Sequence, residues 1–145
     1  MSSEASPAAP GRVLGLDPGE ARIGVAISDP DRRVAVPLGT VRVGPPDDLR
    51  AIASLVSAND VVLIVVGLPL RLSGERGAAA LSAEAFAEAL RAVVSVPVEM
   101  HDERLSTAQA ERGLAAAGAR GRRRRAVVDR AAATVILQAY LDNRA

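Results

Sequence analysis

Val61-Val62-Leu63-Ile64-Val65-Val66 is an unbroken aliphatic run that stops at Gly67-Leu68-Pro69-Leu70. A strand with one wet face alternates apolar and polar residues. A continuous run belongs to a central strand covered on both faces, as in the parallel part of an α/β sheet. Toward the N-terminus, Leu49, Ile52, Ala53 and Val56 recur at helical spacing in a helix over residues 48–57, opened by Pro45-Pro46-Asp47. Ahead of it lie three strand signals: Val13–Asp17 is apolar, Arg22–Asp29 alternates, and Val34–Val43 is rich in Val and Thr. Pro18-Gly19 and Asp29-Pro30-Asp31 separate them, and such short connections predict an antiparallel meander.

Toward the C-terminus, a Gly/Ser/Arg loop over residues 71–77 leads to a helix from about Ala78 to Val94, with Leu81, Ala85, Leu90 and Val93 inward. A fifth strand follows over Val96–Met100. Ser106 with Gln109 forms a capping box, so a third helix is expected from Thr107 to Gly118. A last helix covers about Ala126 to Asp142, after an Arg-rich loop. The order βββαβαβαα describes an α/β fold, a mixed five-stranded sheet flanked by helices. Residues 11–145 read as a single domain, and the Ser/Ala/Pro-rich residues 1–10 as a disordered tail.

Composition narrows the function. Without cysteine there are no disulfides and no thiolate metal sites. Phe86 and Tyr140 are the only aromatic residues, which leaves little for base stacking. A net charge of +1 does not make a generic polycation, yet all 18 basic residues are Arg and many gather in Arg120-Gly121-Arg122-Arg123-Arg124-Arg125. Residues 1–10 lack the basic and apolar regions of a signal peptide, and Val61–Val66 is far too short to span a bilayer. A cytoplasmic protein without membrane contact is expected, as a monomer or weak homodimer.

Asp17 stands at the tip of the first strand, just before the turn Pro18-Gly19. Asp-Pro-Gly is often no more than a turn. On the end of a buried strand, however, the carboxylate sits on a rigid platform fit for a cation. His101-Asp102-Glu103-Arg104 follows the fifth strand, and the first, fourth and fifth strands should run parallel, which puts Asp17 and Glu103 on one sheet edge. In the last helix Asp129 aligns with Ala132, Ala133 and Ile136, not with the polar face of Arg130, Thr134, Gln138 and Asp142. It is either a first-turn cap or a third acidic ligand. Clustered carboxylates with no Cys and a single His suit a hard cation, Mg²⁺ or Mn²⁺, which can promote phosphodiester cleavage. Arg22, Arg104, Arg122, Arg123, Arg124 and Arg125 are candidate phosphate contacts, although Arg104 can equally pair with Asp102 or Glu103, and the Arg run can be a solvated linker. His101 is expected to make a strand-end hydrogen bond. The loop over Gly74–Gly77 lacks the Lys of a P-loop.

The chain closely resembles the YqgF family, also called RuvX-like or candidate pre-16S rRNA nucleases. The matching stretches are Leu14-Gly15-Leu16-Asp17-Pro18-Gly19 with Arg22-Ile23-Gly24-Val25-Ala26, Val65-Val66-Gly67-Leu68-Pro69-Leu70, His101-Asp102-Glu103-Arg104-Leu105-Ser106-Thr107, and Val128-Asp129-Arg130-Ala131-Ala132 with Ile136-Leu137-Gln138 and Tyr140-Leu141. The resemblance implies a ribonuclease H-like fold related to Holliday-junction resolvases. It also implies a metal-dependent nuclease with Asp17, Glu103 and Asp129 as its acidic positions, and a part in maturing the 5′ end of 16S rRNA in a bacterial cytoplasm. The chain departs from the family pattern at Arg71-Leu72-Ser73-Gly74-Glu75, where Asn-x-Asp-Gly-Thr is common, and at Arg130, where Ser is common. A DNA junction resolvase and a non-catalytic nucleic-acid-binding protein acting in transcription are the alternatives.

Overall fold

A computed structural model describes residues 11–105 and 121–144, with backbone alone for Leu105 and residues 121–130. The expected N-terminal tail and the helix expected over residues 107–118 lie outside the described residues. The strands are β1 (Arg12–Pro18), β2 (Arg22–Ser28), β3 (Ala35–Arg42), β4 (Val61–Leu68) and β5 (Val98–Asp102). The helices are α1 (Asp47–Ala58), α2 (Ala78–Arg91) and α3 (Gly121–Asn143). One sheet has the order β3-β2-β1-β4-β5. β1, β2 and β3 form the antiparallel meander, while β4 lies parallel to both β1 and β5. This is the mixed five-stranded sheet that was expected, with β1 in the middle and the aliphatic β4 inside the sheet, between β1 and β5.

Alternation along the pleat gives the sheet two unlike faces. Leu14, Leu16, Ile23, Val25, Ile27, Ile64, Val66 and Val98 form one core with Ile52 of α1 and Ala87 and Leu90 of α2. The opposite face carries Val13, Gly15, Ala26 and Val65, packed against Ala133, Leu137, Tyr140 and Leu141 of α3. Small residues let α3 settle close. A Cβ on Gly15 would lie 2.8 Å from Leu137 Cβ and 3.4 Å from the Ala133 carbonyl. Gln138 fixes the other end of the contact, accepting from the Ala35 N–H at 2.9 Å and donating to the Arg33 carbonyl at 2.9 Å. At the β2–β3 turn, Asp29 Oδ1 accepts from the N–H groups of Arg33 and Val34, both at 2.8 Å, and these bonds hold its carboxyl below the usual range.

Three boundaries differ from expectation. The buried face of α2 is Ala80, Ala83, Ala87 and Leu90, whereas Leu81 is 52% exposed and Val93, beyond the helix end, is 50% exposed. In an alanine-rich helix several faces carry the same apolar pattern, so the pattern does not single out one of them. β5 starts after Pro97, which has no N–H to give a ladder, and runs through Asp102. α3 starts at Gly121, so Arg122, Arg123, Arg124 and Arg125 belong to a helix and not to a loop. Arginine is a good helix former, and nothing after Gly121 breaks the helix.

Candidate metal and nucleic-acid site

Asp17 is the next-to-last residue of β1 and pairs with Gly24 of β2. On the other side Leu16 pairs with Val66, which sets Asp17 level with Gly67 of β4. The turn behind it is tight. Gly19 N–H donates to the Arg22 carbonyl at 2.9 Å, and a Cβ on Gly19 would stand 2.8 Å from that oxygen. By alternation Asp17 shares the α3 face with Gly15, and the inward Leu14 and Leu16 anchor the strand on the opposite face.

Glu103 reaches the same row by a different route. Gly67 pairs with His101 and Leu68 with Asp102, after which the chain leaves the sheet through a short 3₁₀ turn, Glu103–Leu105. The Glu103 carboxylate lies over the Gly67 backbone. A Cβ on Gly67 would be 2.7 Å from Glu103 Oε2 and 2.9 Å from Ile136 Cδ1 of α3. Gly67 therefore leaves the gap that Glu103 and α3 fill together. Asp17 and Glu103 both also engage partners within the protein.

The helical face of Ala132, Ala133 and Ile136 is buried, at 1%, 0% and 0% exposure. Position 129 precedes these residues by three, four and seven on α3. The Ala133 carbonyl lies against Gly15, and one turn back along the helix is about 6 Å. Two residues along β1, from Gly15 to Asp17, cover about 6.6 Å. Residue 129 thus lies about as far from the Gly15 contact along α3 as Asp17 does along β1. The side chains of Asp129 and of Arg122, Arg123, Arg124 and Arg125 lie outside the described residues. Among the described residues no group of three His, Cys, Asp or Glu side chains gathers as a metal cage. Two of the three expected acidic residues, Asp17 and Glu103, are brought to one row.

The neighbours of Glu103 have separate roles. Asp102 takes Arg104 in a fork, Nε at 3.0 and 3.1 Å and Nη2 at 2.6 Å, and the hydrogen bonds from Arg104 keep the Asp102 carboxyl low. Arg104 Nη1 also donates to the Leu72 carbonyl at 3.4 Å, joining the 71–77 loop to the end of β5. Of the two acidic partners expected for it, Asp102 is the one with which Arg104 forms an ion pair. His101 packs edge-on against Tyr140, ring centroids 6.1 Å apart. Its buried Nε2 finds no hydrogen-bond partner among the described residues. Burial lowers the His101 pKa and favours the neutral ring. Tyr140 in turn donates to Glu99 at 2.8 Å.

A family model described as "RuvX: Holliday junction resolvase" matches residues 11–143. The chain belongs to the RuvX family. Relatives named as candidate pre-16S rRNA nucleases support this along nearly its whole length. The one from Chloroflexus aggregans is 48% identical over 133 residues, covering 91% of this chain and 94% of its own. The one from Rhodococcus jostii is 49% identical over 140 residues, covering 92% and 79%. The one from Roseiflexus sp. is 43% identical over 145 residues, covering 99% of each. Among solved structures, T. thermophilus RuvC in complex with a Holliday junction substrate aligns with a TM-score of 0.47 and 17% identity, over 92% of this chain and 95% of that one. In this RuvX-family chain the matched span includes Asp17, Glu103 and Asp129. Sequence reading passed over Gly67, seen there as a strand terminator, although a glycine directly after an aliphatic run is the available signal. It also passed over Arg42, whose place opposite Arg22 depends on the β2–β3 register.

Proposed function

We propose that this protein hydrolyses nucleic-acid phosphodiester bonds with a divalent cation, Mg²⁺ or Mn²⁺, held by Asp17, Glu103 and Asp129, and that precursor 16S rRNA is its substrate. The observation that carries the reading is the Glu103 carboxylate laid over Gly67 in the row of Asp17. The donor set fits a hard ion: these are oxygen ligands, and the chain has no thiolate. When bound, such an ion supplies an activated water and neutralises charge on the leaving oxygen. The chain contributes placement. Strand ends fix Asp17, the glycine at 67 admits Glu103, and Ile136 of α3 packs beside it. Arg22 and the cationic first turns of α3, Arg122 to Arg125, hold phosphates beside the row. Arg104, held by Asp102, ties the 71–77 loop to the end of β5 through the Leu72 carbonyl. The role belongs to a single domain, residues 11–145, working in the cytoplasm as a monomer or weak homodimer. No helix among the described residues is long and apolar enough to cross a membrane.

The test offers precursor 16S rRNA and a four-way DNA junction side by side, with Mg²⁺, Mn²⁺, Ca²⁺ or EDTA. The rRNA should be cut with Mg²⁺ or Mn²⁺, poorly with Ca²⁺ and not with EDTA. Asp17→Asn, Glu103→Gln and Asp129→Asn should each lose more than about 100-fold in rate. Cleavage that survives EDTA overturns the metal reading, and cleavage of the junction alone overturns the RNA assignment.

A further inference from the structure

Arg22 and Arg42 stand directly opposite one another at the end of the β2–β3 ladder, and Thr40 stands opposite Gly24. The odd-numbered residues between them, Ile23, Val25 and Val41, belong to the aliphatic core. Pleating therefore turns Arg22, Arg42 and Thr40 to the opposite face, the one that carries Asp17. These three residues line a hollow of about 580 Å³ together with Ala21 and Val43. The bond from Val43 N–H to the Ala21 carbonyl, at 3.0 Å, closes the ladder behind it. Like charges directly opposite on one face weaken a strand pair. An anion beside the Arg42 guanidinium offsets that cost, and the Thr40 hydroxyl adds a neutral donor.

We infer that Arg42, with Thr40 and Arg22, forms a phosphate seat for a nucleic-acid backbone one step away from the carboxylate row. The inference rests on the nucleic-acid reading above and gives it a direction. Asp17 pairs with Gly24, and Arg22 lies two residues further along β2. Strand geometry then separates the Cα atoms of Asp17 and Arg22 by about 8 Å. A phosphate in the seat is a neighbour of the one at the carboxylates, so the bound strand crosses β1, β2 and β3 and not β5. Arg22 also interacts within the protein. Arg42 and Thr40 are the seat's own contribution, and Arg42 is the residue to change.

The experiment measures binding of a fluorescent 12-nucleotide single-stranded RNA to the full chain in EDTA, across a salt series, so that no cleavage is needed. Arg42→Ala should weaken binding on the order of tenfold, and Thr40→Val less. The log–log salt slope of Arg42→Ala should be shallower by about 0.7, one single-strand phosphate contact. Arg42→Lys should keep the slope and recover part of the affinity. The melting temperature of Arg42→Ala should match or exceed that of wild type. Equal affinities and slopes for wild type and Arg42→Ala overturn the seat while leaving the nuclease reading untouched. Failure of wild type to bind the RNA in EDTA also overturns the seat, and repeating the titration with Ca²⁺ tests the nuclease reading separately. Equal displacement by millimolar inorganic phosphate, with a dinucleotide binding as well as the 12-mer, marks a free-phosphate site and overturns the backbone assignment.

Discussion

The sheet face under α1 and α2 is filled by Leu14, Leu16, Ile23, Ile64 and Val66, and every one of these is at most 1% exposed. The face under α3 has Gly15, Gly24, Ala26 and Gly67 at its centre, with Asp17 between Gly24 and Gly67 and Glu99, His101 and Glu103 toward β5. Each fully buried aliphatic side chain on the first face contributes about 1.5–3 kcal/mol by leaving water. The second face gives up much of that contribution. In return it gains close approach of a helix backbone and space for carboxylates beside the strands. The same strands thus supply stability from one face and carry the proposed carboxylate site on the other, and the pleat keeps the two apart.

That division predicts unequal responses to mutation. The largest loss of stability should come from the aliphatic face. Leu16→Ala should cost about 3–4 kcal/mol in denaturant unfolding, because the space it leaves is enclosed on all sides. An unfolding free energy within about 1 kcal/mol of wild type would show that this face is not the main core. Gly15→Val follows, at about 2–3 kcal/mol, since its side chain meets Leu137 and the Ala133 carbonyl and must push α3 away.

Gly67→Ala should separate stability from activity. The added methyl meets Glu103 Oε2 at 2.7 Å, so it should displace the carboxylate. Stability should fall by about 1–2 kcal/mol, while cleavage falls far more, on the order of 100-fold. A variant that cuts at the wild-type rate would mean that the carboxylate over Gly67 takes no part in the chemistry.

Tyr140 marks where polar groups enter the α3 face, and its effect is smaller. Burial, then the hydrogen bond to Glu99, pushes its hydroxyl up to about 12 from an ordinary 10.0. A raised folded pKa means the unfolded chain loses the proton first. The stabilisation is complete below pH 10 and is lost as pH rises toward 12. Wild type should therefore lose about 2 kcal/mol more than Tyr140→Phe across that window in unfolding experiments. Parallel pH profiles for the two proteins would rule out this linkage. At neutral pH Tyr140→Phe should cost only about 1 kcal/mol.

Much of the first face was legible in the sequence. The run Val61–Val66, the alternation of β2 and the turn Pro18-Gly19 each follow from local rules, and together they give the antiparallel meander and a parallel β4. Asp17 and Glu103 were legible as well, because parallel strands end on one edge. The second face was harder to read. Glycine at 15 and 67 has no side chain to betray which helix lies on it. The packing face of α2 is hidden among alanines that look alike. The start of α3 is hard to place because a run of Arg reads as a charged loop as readily as a helix. Arg42 needs the β2–β3 register, which a bulge between Val25 and Ala26 shifts further along the pair.

The central claim is that the α3 face holds a divalent ion between residues the fold brings to one row. Calorimetric titration of Mn²⁺ into wild type, Asp17→Asn, Glu103→Gln and Gly67→Ala tests it most directly, free of any question of substrate. Wild type should bind, both carboxylate variants should bind at least about tenfold more weakly, and Gly67→Ala should resemble Glu103→Gln although it removes no charge. Equal Mn²⁺ affinity in all four proteins would contradict the account.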